Sequence, residues 1–291
     1  MSENKFDQIR RRFWEAYVTL RDLSDEEILS GPDEVFKTAY EHLCDLGTVN
    51  LNGDTKTILS NSYAQNIAAR LIHLIEMIEQ RFELDEARLV NSSVDPWGFL
   101  KTLPSYPAYV QEINMEYRGA ELKKGDKVVF LGSGPLPITP ILFYQKHGVE
   151  SVGIEKNPLY AELSQHIINR LGLADQIKIV KGDHFSLPLR PKYELLLLAY
   201  RAEPKEEIFA HLAKVLEGRA KVAYRVPERS SNGHLTLADL VFFIQQNGYF
   251  DSNGLPSEFR EYCRIRPEPP NINALVMTIK ETVMGPKELI R

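Results

Sequence analysis

Residues 128–141 read VVFLGSGPLPITPI. The four apolar residues at the start of this stretch predict a short buried strand. The GSG triplet at 132–134 predicts a tight turn, because glycine lets the backbone approach a ligand without a clashing Cβ. A helix is expected next, although Pro135, Pro137 and Pro140 stand where its first turns belong. Pro135 and Pro137 are tolerated because first-turn amides have no intrahelical partner, whereas Pro140 is expected to kink the helix start.

Outward from this stretch, short strands alternate with helices to the end of the chain. The predicted segments are, in order, ILFYQKHG as a helix, VESVGIEKNP as a strand, LYAELSQHIINRLGL as a helix, QIKIVKGDHF and YELLLLAYRA as strands, PKEEIFAHLAKVLEG as a helix, and RAKVAYRV and NINALVMTIK as strands. This alternation is typical of a doubly wound, mostly parallel sheet. The predicted fold class is therefore α/β, with a Rossmann-like domain over residues 121–291.

The first 120 residues show only the helical period. FDQIRRRFWEAYVTLRDL, PDEVFKTAYEHLCDLG and SYAQNIAARLIHLIEMIEQRF each place apolar residues on one helical face, and Ser24 is a good N-cap for SDEEILS. The change of period predicts a domain boundary near residue 120. Residues 1–120 are then an N-terminal helical domain, which we expect to form part of the substrate pocket and a lid.

Composition narrows the class of protein. The 291 residues carry a net charge of -5 without a broad basic stripe, which argues against a general nucleic-acid binder. No apolar run approaches the roughly 20 residues of a membrane span. Cys44 and Cys263 lie far apart and have no metal-like spacing, which fits a reducing compartment. We expect a cytoplasmic globular protein.

Candidate cofactor ligands follow the predicted strands, where parallel sheets bind ligands near the switch point. Glu155 ends the second strand, 21 residues after Gly134, where a carboxylate can accept both ribose hydroxyls. Asp183 follows the third strand and can accept an adenine amino proton. The candidate cofactor-binding residues are Gly132, Ser133, Gly134, Pro135, Leu136, Pro137, Glu155, Lys156, Asn157, Gly182, Asp183, His184, Phe185, Ala199, Tyr200 and Arg201.

The identity of the cofactor is narrowed by what the loop lacks. Leu136 and Pro137 hold the remaining glycine slots of a dinucleotide fingerprint, which disfavours NAD. No P-loop lysine is present, which disfavours ATP hydrolysis. S-adenosylmethionine, which needs the adenosine contacts but has no pyrophosphate, is the leading ligand, in a domain of the class I methyltransferase type. A Rossmann-like domain without a cofactor is the alternative.

Several stretches resemble nicotianamine synthases and their bacterial relatives, which make staphylopine- and pseudopaline-type metallophores. They are FLGSGPLPIT, GIEKNP, KGDHF, AEPKEEIFAHLAKVL with the later YR, and LPSYPAYVQEINMEY, which is similar to the tyrosine-rich segment of the family. The resemblance covers residues from about 60 to 280. GSGPLP is its most specific part, because ordinary methyltransferases have a more glycine-rich loop here.

The resemblance implies a reaction other than methyl transfer. Members transfer the 3-amino-3-carboxypropyl arm of S-adenosylmethionine to an amine and release methylthioadenosine. Of the three activated carbons on the sulfonium, the enzyme selects one by aligning it with the nucleophile. The attacking amine must be neutral, so a nearby group has to hold it and accept its proton.

The resemblance also suggests catalytic residues. Tyr106, in PSYPAY, is the first candidate, and Tyr109 is its expected core partner. Glu79 borders the apolar face of the long predicted helix, where partial desolvation would raise its pKa towards that of a general base. The essential glutamate of the family lies on the matching helix, and His73 or Glu76 can occupy its slot instead, with Glu76 as a substrate-binding candidate. The alternatives are a core aromatic for Tyr106 and a solvated helix face for Glu79.

The end of the fifth strand adds substrate ligands. Arg225, in AYRVPERSS, can hold a substrate carboxylate through two parallel hydrogen bonds, and an ordinary salt bridge is the alternative. Tyr224 faces either the pocket or the sheet, and Arg201 is a second candidate for the carboxylate. His184 is expected near the adenine. The other histidines lack metal-ligand spacing, so we expect no metal bound by the protein.

The predicted function is transfer of one aminobutyrate arm to an amino acid, for which the resemblance suggests D- or L-histidine. We favour one transfer because RLIHLIEMIEQRF departs from the nicotianamine synthase pattern. An opine dehydrogenase would then complete the metallophore. The alternatives are a nicotianamine synthase that condenses three S-adenosylmethionines, a small-molecule methyltransferase, and a scaffold without activity. We expect no nucleic-acid or membrane partner and leave a homodimer open.

Overall fold

A computed structural model of the chain describes residues 11, 14–15, 17–18, 20–47, 62–187, 193–227, 254–266 and 273–281. Helices α1 to α8 span Asp25–Ser30, Asp33–Gly47, Ser62–Ser92, Pro96–Thr102, Tyr106–Gly119, Ile138–His147, Pro158–Arg170 and Lys205–Val215. Strands β1 to β7 span Lys127–Leu131, Glu150–Glu155, Ile177–Lys181, Leu195–Leu198, Lys221–Pro227, Phe259–Ile265 and Asn273–Lys280.

The chain divides into two compact units. The first comprises Met1–Asp85 and Pro227–Tyr249, and the second comprises Glu86–Val226 and Phe250–Arg291. The change of sequence period near residue 120 therefore marks where strands begin, whereas the division by contacts falls at residue 85. Helices α4 and α5 precede the first strand, but they belong to the unit that contains the sheet.

In the first unit, the predicted helices form where their sequence patterns place them. Ser24 caps α1, because its Oγ accepts a hydrogen bond from the Glu27 N–H at 3.2 Å while Glu27 accepts one from the Ser24 N–H at 2.8 Å. The apolar stripe of α3 is buried, as its period predicts. The buried residues of this stripe are Leu71, Leu74, Ile75 and Ile78. They share one core with Leu20, Ile28 and Phe36.

The second unit contains one seven-stranded sheet in the order β3-β2-β1-β4-β5-β7-β6. Strands β1 to β5 pair in parallel, and β6 is antiparallel to β7. The Lys280 N–H donates to the Ala220 carbonyl, and the Thr278 hydroxyl donates to the Val222 carbonyl, so β7 runs antiparallel to β5. The Rossmann-like prediction is confirmed. Strand β6 was not predicted, because Glu261 interrupts the apolar pattern of FREYCRI, although its residues alternate in burial within the sheet.

The faces of the sheet are covered by different helices. Val128 and Phe130 point into a core shared with α5, α6 and α7, whereas Val129 and Leu131 point into a core shared with α8. All four leucines of β4 are buried, since this central strand is covered on both faces.

The register of the parallel strands aligns their carboxyl ends. Leu131 pairs with both Ile154 and Leu198, and Leu198 pairs with Tyr224. The residues that follow this row therefore share one edge of the sheet. They are Gly132, Glu155, Ala199 and Arg225, four of the residues that the sequence nominated.

Candidate active site

The turn after β1 is built around Gly132. Its φ of +86° lies in the region that favours glycine, and a Cβ there would meet the Ala199 Cβ at 3.1 Å. The N–H groups of Gly132 and Ser133 both donate to the Ile154 carbonyl, at 2.9 and 3.1 Å. The turn is thereby held between β2 and the segment that follows β4, and the missing Cβ of Gly132 lets that segment pack directly against it.

The prolines lie before the helix and in its first turn. Helix α6 begins at Ile138, so Pro135 and Pro137 precede it and Pro140 is its third residue. The kink expected at Pro140 stays a prediction, although the amide missing at the third position has no intrahelical partner to lose. Leu136, between the first two prolines, is buried in the core. The prolines thus stiffen the loop without interrupting the helix.

Glu155 ties the turn to the next helix. Its Oε2 accepts a hydrogen bond from the Gly134 N–H at 2.9 Å, and its Oε1 accepts one from the Asn157 N–H at 2.8 Å. The Asn157 side chain in turn caps α7 by accepting from the Leu159 N–H at 3.0 Å. Each carboxylate oxygen of Glu155 can accept a further hydrogen bond, and the residue is 7% exposed. The Lys156 side chain next to it is exposed.

The segment after β3 presents an exposed aromatic ring. The Gly182 N–H donates to the Glu155 carbonyl at 3.0 Å, which joins this segment to the end of β2. Asp183 is exposed and accepts from the Phe185 N–H at 2.9 Å, which turns the chain into a short 3₁₀ helix. Phe185 is 61% exposed, and its ring centroid lies 4.0 Å from that of His184. An acceptor and a flat apolar surface therefore stand side by side.

The segment after β4 packs directly on the turn. The Ala199 N–H donates to the Leu131 carbonyl at 2.9 Å, and the methyl groups of Ala199 and Ala202 face Gly132. Tyr200 is half-buried, and Arg201 is exposed. Beneath them lies Lys205, fully buried and bonded to the carbonyls of this segment, which sequence reasoning missed.

Arg225 lies in a buried ion cluster. Its Nε and Nη2 donate to the two carboxylate oxygens of Glu116 at 2.7 and 3.0 Å, and its Nη1 lies 3.5 Å from Glu112. Its Nη2 also donates to the Thr139 hydroxyl at 3.0 Å. The edge of the guanidinium that was expected to hold a substrate carboxylate is thus paired with a carboxylate of the protein. The adjacent Tyr224 is fully buried in the core that packs against α8, so its side chain faces the sheet.

Burial and the neighbouring charges shift the pKa values of Arg225 and Glu116. Burial opposes the charged guanidinium, but Glu112 and Glu116 hold the pKa of Arg225 above its usual range. Burial raises the pKa of Glu116 to about 7 against the opposing effect of Arg225, and Glu112 adds to the rise. The phenol of Tyr109 also lies within electrostatic range of Arg225.

Tyr106 is the first residue of α5. Its hydroxyl donates to Oε1 of Gln145 at 3.1 Å, and the Lys146 ammonium lies 6.0 Å from the ring centroid. Burial raises the pKa of this phenol. Both contacts are with the C-terminal end of α6, whereas the GSG turn precedes its N-terminal end. Of the two tyrosines in PSYPAY, it is Tyr109 that acts electrostatically on Arg225.

The three candidates on α3 lie in the first unit. His73 Nε2 is 2.7 Å from a carboxylate oxygen of Asp25, and Glu76 is half-buried. Glu79 is exposed. Further along the same helix, in the second unit, burial raises the pKa of Glu86, which accepts a hydrogen bond from Ser105 at 3.4 Å. The catalytic and binding roles of His73, Glu76 and Glu79 stay predictions.

Neither a metal-binding cluster nor a membrane-spanning helix is found within the described residues. Among them, no group of three or more histidine, cysteine or acidic side chains is arranged to hold a metal ion. The helices within those ranges are all too short or too polar to cross a membrane.

Comparison with known families decides the class of the protein. The family model described as nicotianamine synthase protein matches residues 2–285. The chain belongs to the nicotianamine synthase family. A mutant of MtNAS in complex with S-adenosylmethionine has a similar fold, with a TM-score of 0.74 at 19% identity over 97% of this chain and 100% of that one. MtNAS in complex with MTA and tNA gives a TM-score of 0.73 at 20% identity, with the same coverage.

A curated relative of this family member is the L-histidine 2-aminobutanoyltransferase of Yersinia pestis. The two are 25% identical over 125 residues, which is 43% of this chain. The match spans about half of that relative, 46% of its length.

Proposed function

We propose that this member of the nicotianamine synthase family is an S-adenosylmethionine-dependent transferase that moves one 3-amino-3-carboxypropyl arm to the amine of an amino acid. Histidine is the proposed acceptor. The observation that carries the proposal is the GSGPLP turn on the shared strand edge, in a chain that the family model matches from residue 2 to residue 285. The partial similarity to a histidine aminobutanoyltransferase supports the acceptor.

The residues at this edge fit S-adenosylmethionine. Because Gly132 has no Cβ, Ala199 and Ala202 pack directly against the turn and hold its backbone in place. The spare acceptor sites of Glu155 suit ribose hydroxyls. Beside them, Asp183 offers an acceptor for an amino group, and Phe185 offers a flat exposed ring for a base.

The chemistry requires one carbon to be selected out of three. S-adenosylmethionine, when bound, supplies an electrophilic carbon next to its positive sulfur. The acceptor nitrogen bonds to the first carbon of the long arm, the carbon–sulfur bond breaks with its electrons going to sulfur, and methylthioadenosine leaves. The nitrogen releases a proton to a base. The protein has to exclude attack at the methyl group by alignment, since both carbons are activated.

The residues of the chain would divide this work. The rigid GSGPLP turn and Glu155 would orient the adenosine. Arg201, exposed beside the turn, stays the candidate for a substrate carboxylate. Tyr106 and Glu79 stay the proposed catalytic groups. Tyr109 is the alternative tyrosine and Glu86 the alternative carboxylate.

The deciding experiment incubates the purified protein with S-adenosylmethionine and a panel of amino acids that includes L- and D-histidine. Mass spectrometry then identifies both products. Methylthioadenosine together with an acceptor heavier by one aminobutyrate supports the proposal. S-adenosylhomocysteine would show a methyltransferase instead. Turnover without any added acceptor, with several arms joined, would show a nicotianamine synthase proper, and no binding or turnover would show a scaffold.

Paired variants test the catalytic residues. We expect Tyr106→Phe and Glu79→Gln to lower kcat at least tenfold, with cofactor affinity unchanged. Tyr109→Phe and Glu86→Gln are measured beside them. If only the second pair loses turnover, the catalytic tyrosine and carboxylate are those nearer the buried groups of the second unit, and our first assignments are wrong.

The proposed product also has a place in a reaction sequence. A secondary amine that carries a free amino acid arm is a suitable substrate for reductive condensation with a keto acid, so an opine dehydrogenase would consume it. We propose that the two enzymes act in the cytoplasm, where S-adenosylmethionine is made. Whether the transferase forms a homodimer is decided by its mass in solution.

A further inference from the structure

Lys205 has a side chain that is 0% exposed. Its Nζ donates to the Tyr200 carbonyl at 2.7 Å, to the Ala202 carbonyl at 3.4 Å, and to Oε1 of Glu203. Burial lowers the pKa of this ammonium, and the neighbouring carboxylate of Glu203 opposes the shift. Lysine is almost never fully buried unless it is paired, so a specific arrangement holds this one in place.

All three acceptors, two backbone carbonyls and one side-chain carboxylate, belong to residues of one short segment. Residues 199–204 leave the end of β4, pass the Gly132 turn and enter α8 at Lys205. Glu203 completes a closed loop of contacts, because its Oε2 accepts from the Lys205 N–H at 2.8 Å. The buried ammonium of Lys205 therefore holds the backbone of this segment through its carbonyls, on the side that faces the protein interior.

The same segment forms one wall of the cofactor turn. Ala199 and Ala202 present their methyl groups to Gly132, at 3.1 and 3.6 Å from where a Cβ would stand. Between them, the segment presents Tyr200 and Arg201 at the carboxyl edge of the sheet. A shift of this backbone by a few tenths of an ångström would move the wall against the turn and redirect both side chains.

We propose that Lys205 is a positioning residue for S-adenosylmethionine, which holds segment 199–204 against the Gly132 turn in the shape that the ligand requires. The inference rests on the proposed function for the identity of the ligand. Lys205 acts through the segment and does not itself touch the ligand.

The chain offers a matched control in Lys280. Its Nζ also donates to two backbone carbonyls, those of Ala213 at 2.6 Å and Leu216 at 2.5 Å. These carbonyls lie at the end of α8, and the Lys280 N–H bonds Ala220 at the opposite edge of the sheet from the cofactor turn. Lys280→Met thus removes the same kind of carbonyl bonding without disturbing segment 199–204.

The experiment compares S-adenosylmethionine affinity by calorimetry in the wild type, Lys205→Met and Lys280→Met, each at a temperature well below its Tm. We expect both variants to lower Tm, while Lys205→Met raises Kd at least tenfold and Lys280→Met changes it less than twofold. A Kd for Lys205→Met within twofold of the wild type, or equal losses in the two variants, would overturn the inference. Absence of binding by the wild type would instead overturn the proposed function on which it rests.

A second variant decides the matter if Lys205→Met does not fold. Glu203→Gln keeps the two carbonyl bonds of Lys205 but leaves one acceptor oxygen in place of two, so the side chain can accept from the ammonium or from the Lys205 N–H but not from both. We expect a Kd at least threefold weaker than that of the wild type. An unchanged Kd in this variant would refute the positioning role.

Discussion

Replacing Gly132 by alanine tests whether the turn needs a close approach or only an unusual backbone angle. Gly125 provides the comparison, because its φ of +88° nearly equals the +86° of Gly132. A Cβ on Gly125 would meet nothing within 4 Å, whereas one on Gly132 would meet the Ala199 Cβ at 3.1 Å. The two alanine variants therefore share the backbone penalty and differ in the contact.

The expected magnitudes follow from these two terms. Alanine at a positive φ costs about 1–2 kcal/mol. The stiffer unfolded chain offsets about 0.4–1 kcal/mol of that cost. We expect Gly125→Ala to lower the free energy of unfolding by about 1 kcal/mol. Ala199 cannot retreat without stretching its 2.9 Å hydrogen bond to Leu131, so the contact in Gly132→Ala adds roughly 1–3 kcal/mol of overpacking.

Thermal unfolding and calorimetry with S-adenosylmethionine measure both effects. Each kcal/mol corresponds to about 2–4 °C in Tm for a unit of this size. We expect Gly132→Ala to melt several degrees below Gly125→Ala and to bind the ligand at least tenfold more weakly, since the wall formed by Ala199 is displaced. If the two variants have equal Tm and equal Kd, the close approach at Gly132 has no role and the reasoning fails.

Three further predictions concern the same edge of the sheet. Glu116, with its pKa raised to about 7, keeps in the folded state a proton that the unfolded chain releases near 4.5, so the free energy of unfolding falls by up to about 3 kcal/mol as the pH rises from about 4.5 to about 7. Denaturant titrations across this range should lose that slope in Glu116→Gln and retain it in the exposed control Glu121→Gln; equal slopes in all three proteins would contradict the assignment. The double variant Pro135→Gly, Pro137→Gly should release some S-adenosylhomocysteine beside methylthioadenosine, because a looser loop no longer excludes the methyl carbon, and an unchanged product ratio would show that loop stiffness does not select the bond. Ser164→Ala removes a buried hydroxyl that donates to the Gly134 carbonyl at 2.5 Å and should lower stability by about 1 kcal/mol, measured as a shift in Tm, with no change in Tm as the contrary result.

Local sequence determined most of the sheet unit. The apolar run of β1, the glycine turn and the alternation of strands and helices predicted the Rossmann-like class, and parallel pairing then required the strand ends to meet at one edge. Gly132, Glu155 and Ala199 could be nominated from the sequence for this reason. Backbone geometry and burial of apolar strands are encoded within a few residues, so a short window is enough to read them.

Partners that are far apart in the chain were decided only by the tertiary structure. Arg225 looks in the sequence like a ligand for a substrate carboxylate, but Glu116 reaches it from 109 positions earlier and occupies its guanidinium. Lys205 looks like a surface lysine at a helix start, and only the packing of α8 under segment 199–204 buries it. Whether a charge binds a ligand or the protein depends on which groups folding brings within hydrogen-bonding distance, and no local pattern in the sequence records that distance.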